Sequence, residues 1–228
     1  MDRKITALKA QKKNNNRVSV YLDGEYAFGL ARIVAAWLHV GLVLTEEKVS
    51  ELQMQDTCEV AYQKALKFIS YRPRSETEVS RKLASHGFDD MVWMAVLGRL
   101  RKNGLVGDEN FARTWVDNRN TFRPRSRRAL SVELRQKGIE EDTVQSVLDE
   151  MVDDEVLALR VAERWSRRLE GLEWNEFRKR LAAYLARRGF NYATIAPIVQ
   201  KIWEEQQMDV SMKLELENEE LNNEPSIK

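Results

Sequence analysis

The sequence contains few of the residues from which enzyme active sites are most often built. Its 228 residues include one cysteine and two histidines, and Cys58, His39 and His86 show no metal-ligand spacing such as HExxH. The ten glycines form neither a GxxxxGK(S/T) nor a GxGxxG nucleotide-binding loop. We therefore predict a protein that is not an enzyme, with no catalytic residues, no metal, no cofactor and no small-molecule ligand.

Long hydrophobic runs are also missing. The longest apolar stretch, Ile33 to Leu44, is interrupted by His39 and Gly41, and it is shorter than the roughly 18 residues that a membrane span needs. No apolar segment typical of a secretory signal follows the first three residues, and a single cysteine cannot form an internal disulfide. These features predict a cytoplasmic protein that does not enter a membrane.

Charge is balanced overall but unevenly distributed along the chain. The formal net charge is +1, whereas residues 206–228 contain six acidic residues and two lysines. Residues 1–205 therefore carry an excess of basic residues. The acidic, Glu- and Asn-rich segment 206–228 is predicted to be a disordered tail.

Residues 1–54 are predicted to form a small β-containing head domain. Val18, Val20 and Leu22 alternate with less apolar residues, and Asp23-Gly24 is a strong signal for a type I′ hairpin turn. We expect strands at 4–10, 17–22 and 25–30. Short helices are expected at 33–39 and after Thr45, which is a favourable N-cap residue.

From about residue 56 the sequence has helical periodicity and repeats itself. Residues 72–88 align with residues 123–139 at an offset of 51, with seven of seventeen positions identical, and residues 174–190 form a third copy. In the first two copies Ser75 or Ser126 is expected to cap a helix that ends at a glycine. We predict a mostly α fold with three three-helix repeats at 55–106, 107–153 and 154–205. The repeats are expected to stack in an elongated array, because none can bury its apolar face alone.

The order of these motifs resembles the RecX family of RecA regulators. The resemblance rests on Arg-Pro-Arg-Ser at 72–75 and 123–126, Gly-Leu-Val-Gly-Asp-Glu-Asn-Phe-Ala at 104–112 and Ala-Arg-Arg-Gly-Phe at 186–190, and it covers about residues 61–203. Residues 20–30 resemble an N-terminal extension of some family members. The resemblance implies a protein that binds RecA on its single-stranded-DNA filament, lies in the filament groove and inhibits the recombinase, ATPase and coprotease activities. Such a protein regulates DNA repair, homologous recombination and the SOS response.

A second interpretation stays open at this point. The chain is also consistent with a stand-alone nucleic-acid-binding module whose arginines contact phosphates directly, so that its affinity for bare DNA falls steeply with salt. In either case we predict a monomer, because the sequence has no exposed heptad seam.

A dense basic cluster lies in the second repeat. Between residues 119 and 137 seven basic residues, Arg135 among them, accompany a single acid, Glu133. Arginine suits bidentate contacts with carboxylates and phosphates, and arginines in the first turn of a helix oppose its dipole, which a partner anion would relieve. We therefore predict partner or nucleic-acid contacts from Arg119, Arg123, Arg125, Arg127, Arg128 and Lys137.

Two further basic pairs are predicted contacts that have a structural alternative of about equal weight. Arg72 and Arg74 precede two glutamates and are equally consistent with a salt-bridged helix start. Arg187 and Arg188 belong to a basic patch with Arg178, Lys179 and Arg180, and this patch is equally consistent with a solvated helical face.

Several other residues are expected to be structural. Asp108 is predicted to cap the helix that begins there. The tryptophans that lie in or beside the apolar stripes are predicted to be core residues rather than stacking platforms for bases. They are Trp93, Trp115, Trp165 and Trp203.

Overall fold

The computed structural model describes residues 2–222, which divide into two compact units, 1–108 and 109 onwards. In the described part of the chain the fold is mostly α with one small antiparallel sheet, as predicted. The first unit contains β1 (Arg3–Gln11), β2 (Asn14–Leu22), β3 (Glu25–Ala31), β4 (Val43–Leu44), α1 (Glu46–Ile69), α2 (Glu76–Ala84) and α3 (Asp90–Lys102). The helix α4 (Asp108–Phe122) begins at the last residue of the first unit and otherwise lies in the second. The second unit also contains α5 (Arg127–Gln136), α6 (Glu141–Met151), α7 (Asp154–Ser166), α8 (Trp174–Ala186) and α9 (Tyr192–Asn222), with a 3₁₀ turn at Arg167–Leu169.

The head is a four-stranded sheet in the order β3-β2-β1-β4, with each neighbouring pair antiparallel. Asp23 and Gly24 have φ angles of +51° and +94°, which confirms the predicted hairpin turn between β2 and β3. The alternating apolar side chains of the sheet face one side and form a core. Its buried members include Ile5, Val20, Leu22, Phe28, Leu30 and Leu44.

The predicted helix at 33–39 is wrong. The amides of Val34 and Ala35 both donate to the carbonyl of Ala31, and the segment continues as turns. It then returns to the sheet, because the Ile5 backbone exchanges hydrogen bonds with the Gly41 amide and the Leu42 carbonyl. This long-range pairing positions β4 on β1, and it explains why the segment does not continue as a helix.

One long helix replaces the two shorter helices expected around the 54/55 boundary. Thr45 caps α1 by accepting a hydrogen bond from the Lys48 amide at 3.2 Å, as predicted. Leu52 of α1 is buried in the core of the head, whereas Ala61 and Tyr62 are buried with α2 and α3. The helix is therefore shared between the head and the first repeat.

The helices form three successive three-helix repeats, α1–α3, α4–α6 and α7–α9, which confirms the predicted fold class. Ser75 caps α2 and Ser126 caps α5, each through its side-chain oxygen. After α2, α5 and α8 the chain reverses at glycines in the left-handed region, Gly87, Gly138 and Gly189. The residue boundaries proposed for the repeats remain predictions.

The cores of the repeats are mostly aliphatic, and the four tryptophans named above pack against them. Trp93 packs against the first core, and Trp115, Trp165 and Trp203 pack against one core that the second and third repeats share. All four side chains stay partly exposed. The prediction that they are core residues holds for their packing against the cores, although none of the four is fully buried.

The helix α9 differs from the prediction of a disordered tail. It continues to Asn222, so that residues 206–222 are helical, while 223–228 lie outside the described residues. Residues 206–222 contain neither glycine nor proline and are rich in glutamate, leucine and methionine, which favour helices. Pro197 lies inside the same helix.

In the described residues, no helix is long and apolar enough to cross a membrane.

We predict that Gly189→Ala destabilises the second unit strongly. Gly189 has φ +93°, and a Cβ there would lie 2.6 Å from Ser126 Oγ and 2.8 Å from Ala129 Cβ. The left-handed conformation costs about 1–2 kcal/mol, and the close contacts with α5 add roughly 1–3 kcal/mol. Urea unfolding measures the loss.

Gly171→Ala is the matched control, because Gly171 has φ +77° in the same unit and open space around its Cα. It is expected to lose only the conformational part of the stability. Equal losses in the two variants would contradict the proposed contact between Gly189 and α5.

Candidate functional site

The carboxylate of Glu133, whose side chain is mostly buried, lies among the basic residues of the second repeat. The Glu133 side chain accepts hydrogen bonds from Trp115 Nε1 at 2.8 Å and Arg119 Nε at 2.7 Å, and Arg125 Nε lies 3.2 Å from its second oxygen. The guanidinium of Arg119 also lies over the Trp115 ring, 4.7 Å from its centroid. Glu133 therefore joins α4 to α5, and Arg119 is engaged in this contact.

Arg127 is also held within the chain. Its guanidinium pairs with Asp149 and donates to Gln145 at 3.0 Å, both on α6. Its backbone amide donates to Asp154 Oδ1 at 2.6 Å. The anion that we expected a partner to provide at the start of α5 is therefore supplied by the first residue of α7.

The first repeat contains the same arrangement. Asp108 Oδ1 accepts a hydrogen bond from the Glu76 amide at 2.9 Å, so that the first residue of α4 caps α2. The prediction that Asp108 caps its own helix is therefore corrected: the carboxylate caps the N-terminus of α2, which lies earlier in the chain. A local sequence pattern cannot reveal a cap that acts across 32 residues.

Two further predicted contacts, Lys137 and Arg188, and the neighbouring Arg135 also interact with side chains of this chain. Arg135 pairs with Glu141 and lowers the pKa of that carboxyl. The Lys137 ammonium lies 5.0 Å from the centroid of the Trp115 ring. Arg188 donates to the Tyr184 hydroxyl at 2.7 Å and stacks on the same ring. These side chains stabilise helix packing and are less available to a partner.

The pair in the first repeat follows the structural alternative. Arg72 donates two hydrogen bonds to Glu78, at 2.8 and 3.2 Å, beside the cap of α2. The Arg74 guanidinium lies 4.0 Å from the centroid of the Phe68 ring, and burial, with Arg72 nearby, lowers its pKa. Arg72 therefore contacts the first turn of α2, and Arg74 packs against α1.

Three predicted arginines remain exposed without an ion pair or hydrogen bond to any described side chain. They are Arg123, Arg128 and Arg187. Arg128 and Arg125 line a cleft of about 450 Å³ between α5 and the turn after α8. The exposed Val132 and the buried Phe190 provide its apolar part. The cleft thus places arginines beside an apolar surface, which suits a protein partner with carboxylates at its rim.

Sequence reasoning left open a binding role for Arg178 and Lys179 but missed the groove that they line in this unit. A cavity of about 650 Å³ between α8 and α9 is lined by Trp174, Arg178, Lys179 and Tyr192 among others. Tyr192 is 77% exposed. It occupies the position of Glu141 and Asp90 in the other repeats, at the offset of 51. This change from an acid to an aromatic residue was a sequence signal for the groove.

Comparisons with known proteins agree with the repeat architecture. Four family models match: the regulatory protein RecX N-terminal domain at residues 3–45, and the first, second and third RecX three-helix domains at 61–100, 108–148 and 153–199. Regulatory protein RecX of Bacillus velezensis is 32% identical over 195 residues, which is 84% of this chain and 74% of that protein. Regulatory protein RecX of Mycolicibacterium smegmatis is 34% identical over 162 residues, covering 68% of this chain and 81% of the relative.

A solved structure is also similar over most of the chain. A crystal structure of regulatory protein RecX superimposes with a TM-score of 0.69 and 26% identity, covering 86% of this chain and 98% of that chain. A crystal structure of RecX from Lactobacillus salivarius gives a TM-score of 0.57 at 23% identity, covering 65% and 97%, and supports the fold alone.

We predict that Glu133→Ala destabilises the second unit by roughly 1–3 kcal/mol, since it removes hydrogen bonds to a charged acceptor and leaves the Trp115 and Arg119 donors unpaired. Thermal and urea unfolding measure the change. Glu163→Ala, which changes an exposed glutamate of α7, is expected to stay within about 0.5 kcal/mol of the wild type. A similar effect of the two substitutions would show that Glu133 does not join α4 to α5.

Proposed function

Because this chain belongs to the RecX family of regulatory proteins, we propose that it binds RecA on the single-stranded-DNA filament and lowers its recombinase, ATPase and coprotease activities. The observation that carries the proposal is the cleft beside α5, where Arg125 and Arg128 flank the apolar surface of Val132. The protein acts as a monomer in the filament groove, in the cytoplasm.

The mechanism needs no bond to be made or broken by this chain. The guanidinium of Arg128 can bind a carboxylate of RecA in the bidentate geometry that arginine favours. Arg125 pairs with Glu133 through its Nε, but its side chain is 45% exposed, so its Nη groups can bind a second carboxylate. A protein in the groove blocks the path of an incoming DNA strand. If it binds one filament arrangement more tightly than another, it also shifts the filament towards the arrangement that it prefers.

We expect Arg125→Glu combined with Arg128→Glu to weaken filament inhibition by roughly tenfold or more, because two attractive contacts become repulsive. The steady-state ATPase of RecA filaments on single-stranded DNA, titrated with each variant, measures the effect. The variant should keep its helicity, since Ser126 and Asp154 still cap α5.

Arg164→Glu with Arg167→Glu is the matched control, because it makes the same change of charge at two exposed positions of the same unit. We expect inhibition by this control to equal that of the wild type. Undiminished inhibition by the Arg125 and Arg128 variant would exclude the cleft as the RecA contact.

A second candidate function is direct binding of single-stranded nucleic acid, and the groove between α8 and α9 favours it. Arg178 and Lys179 are exposed there and can contact phosphates, while Tyr192 offers an exposed ring on which a base can stack. Trp174 lines the same groove and packs against Trp203, with the ring centroids 5.4 Å apart. Basic and aromatic side chains are the combination typical of single-strand binding without sequence preference.

If this groove binds single strands, Tyr192→Ala should weaken binding of a fluorescent oligothymidylate by about 1–3 kcal/mol. Reversing the charge of Arg178 and Lys179 should flatten the dependence of log K on log salt by roughly 1.4, from two lost phosphate contacts at about 0.7 each. Polarisation at several salt concentrations measures both effects.

Tyr71→Ala is the control for the stacking contact, because Tyr71 is 73% exposed in the first unit. It should leave the affinity unchanged. Tight, salt-sensitive binding of bare DNA without any effect on RecA ATPase would make the second candidate the leading one.

A further inference from the structure

The first unit contains a large cavity that neither proposed function uses. It has a volume of about 900 Å³. It lies between the first residues of β2, the end of β3 with the loop that follows β3, and α1. Its lining residues combine basic groups, amides and aliphatic side chains. They include Asn14, Asn16, Arg17, Arg32, Ile33, Ala36, Val60, Gln63, Lys64 and Lys67.

The wall of this cavity is held in place by contacts within the chain. Asp56 of α1 accepts hydrogen bonds from the Ala31 amide at 2.5 Å and from Arg17 Nη2 at 2.8 Å. Arg17 also donates to the Gly29 carbonyl at 3.0 Å. These contacts fix α1 against the end of β3, so that the cavity does not depend on a ligand for its shape.

The charge of the lining is positive. Its one acid, Glu59, is 7% exposed and accepts hydrogen bonds from Arg99 at 2.6 Å and from Gln63 at 2.8 Å. No ion pair among the described residues includes Arg32, Lys64 or Lys67, and all three side chains are exposed. An occupant with carboxylates or other anionic groups would therefore be attracted.

The apolar part of the lining distinguishes a peptide from a nucleic acid. Ile33 is 63% exposed, and with Ala36 and Val60 it forms an aliphatic surface. None of the lining residues is aromatic, so the cavity has no platform on which a base could stack. The amides of Asn14, Asn16 and Gln63 can hydrogen-bond to a peptide backbone.

We propose that this cavity is a docking site for a segment of a partner protein that carries acidic residues next to aliphatic ones. Its carboxylates would pair with Arg32, Lys64 and Lys67, and its aliphatic side chains would cover Ile33 and Val60. An apolar centre with a charged rim is the usual anatomy of such a contact. This proposal is independent of RecA binding through the cleft beside α5, because all its residues belong to the first unit.

Fluorescence polarisation with the complete chain tests the proposal. The probe is a labelled 12-residue peptide that alternates glutamate or aspartate with leucine. Two reference probes are used: a peptide with lysine in place of the acids, and a labelled 12-residue oligothymidylate. In the double variant Lys64→Glu with Lys67→Glu, we expect binding of the acidic peptide to weaken roughly tenfold and binding of the two reference probes not to weaken. Ile33→Asp should also weaken it, and because Ile33 is exposed, the substitution should leave the fold intact.

Arg81→Glu with Lys102→Glu is the matched control. These residues lie exposed in the last turns of α2 and α3, as Lys67 does on α1, and they do not line the cavity. The control should bind the acidic peptide within about twofold of the wild type. Failure of the acidic peptide to bind, or equal loss in both double variants, would overturn the proposal. Loss of oligothymidylate binding confined to the Lys64 and Lys67 variant would also overturn it, in favour of a nucleic-acid site.

Discussion

The hydrogen bond between the Asp154 carboxylate and the Arg127 amide satisfies the start of α5 without a partner. Asp108 does the same for α2 through the Glu76 amide. Asp154 is the first residue of α7 and caps α5, and Asp108 is the first residue of α4 and caps α2. In both cases the cap comes from the first helix of the following repeat. Exposed amides at a helix start must find an acceptor. Here that requirement is met by residues distant in sequence, and within the second unit the contact fixes the start of α5 against the start of α7.

Several arginines are likewise engaged by groups of the same chain. Arg119, Arg127 and Arg188 are each engaged by a carboxylate, an amide oxygen or an aromatic ring of the chain. An arginine that holds two helices together can bind a partner only by giving up that contact. The basic cluster is therefore smaller as a binding surface than its charge suggests. Its available part is centred on Arg128 beside the cleft, with Arg123 and Arg187 as further exposed cations.

The two units offer partners different chemistry. The cavity of the first unit is basic and aliphatic, whereas the groove between α8 and α9 of the second is basic and aromatic. Aromatic rings provide stacking surfaces for bases, and aliphatic side chains suit leucine or isoleucine of a peptide.

Local features of this protein could be predicted from the sequence because each depends on a few neighbouring residues. The turn at Asp23-Gly24 requires positive φ, and the caps at Ser75 and Ser126 require a side-chain oxygen next to a helix start. The three-helix architecture could also be predicted, because the sequence pattern recurs at an offset of 51 residues. Segment 33–39 was the exception, because Gly41 and Leu42, directly after it, pair with Ile5 of β1, a contact between residues distant in the sequence. Which arginines are available was decided only by the tertiary structure: Glu133 pairs with Arg119 and Asp149 pairs with Arg127 across helices, and ion pairs depend on distances in space that spacing along the chain does not determine.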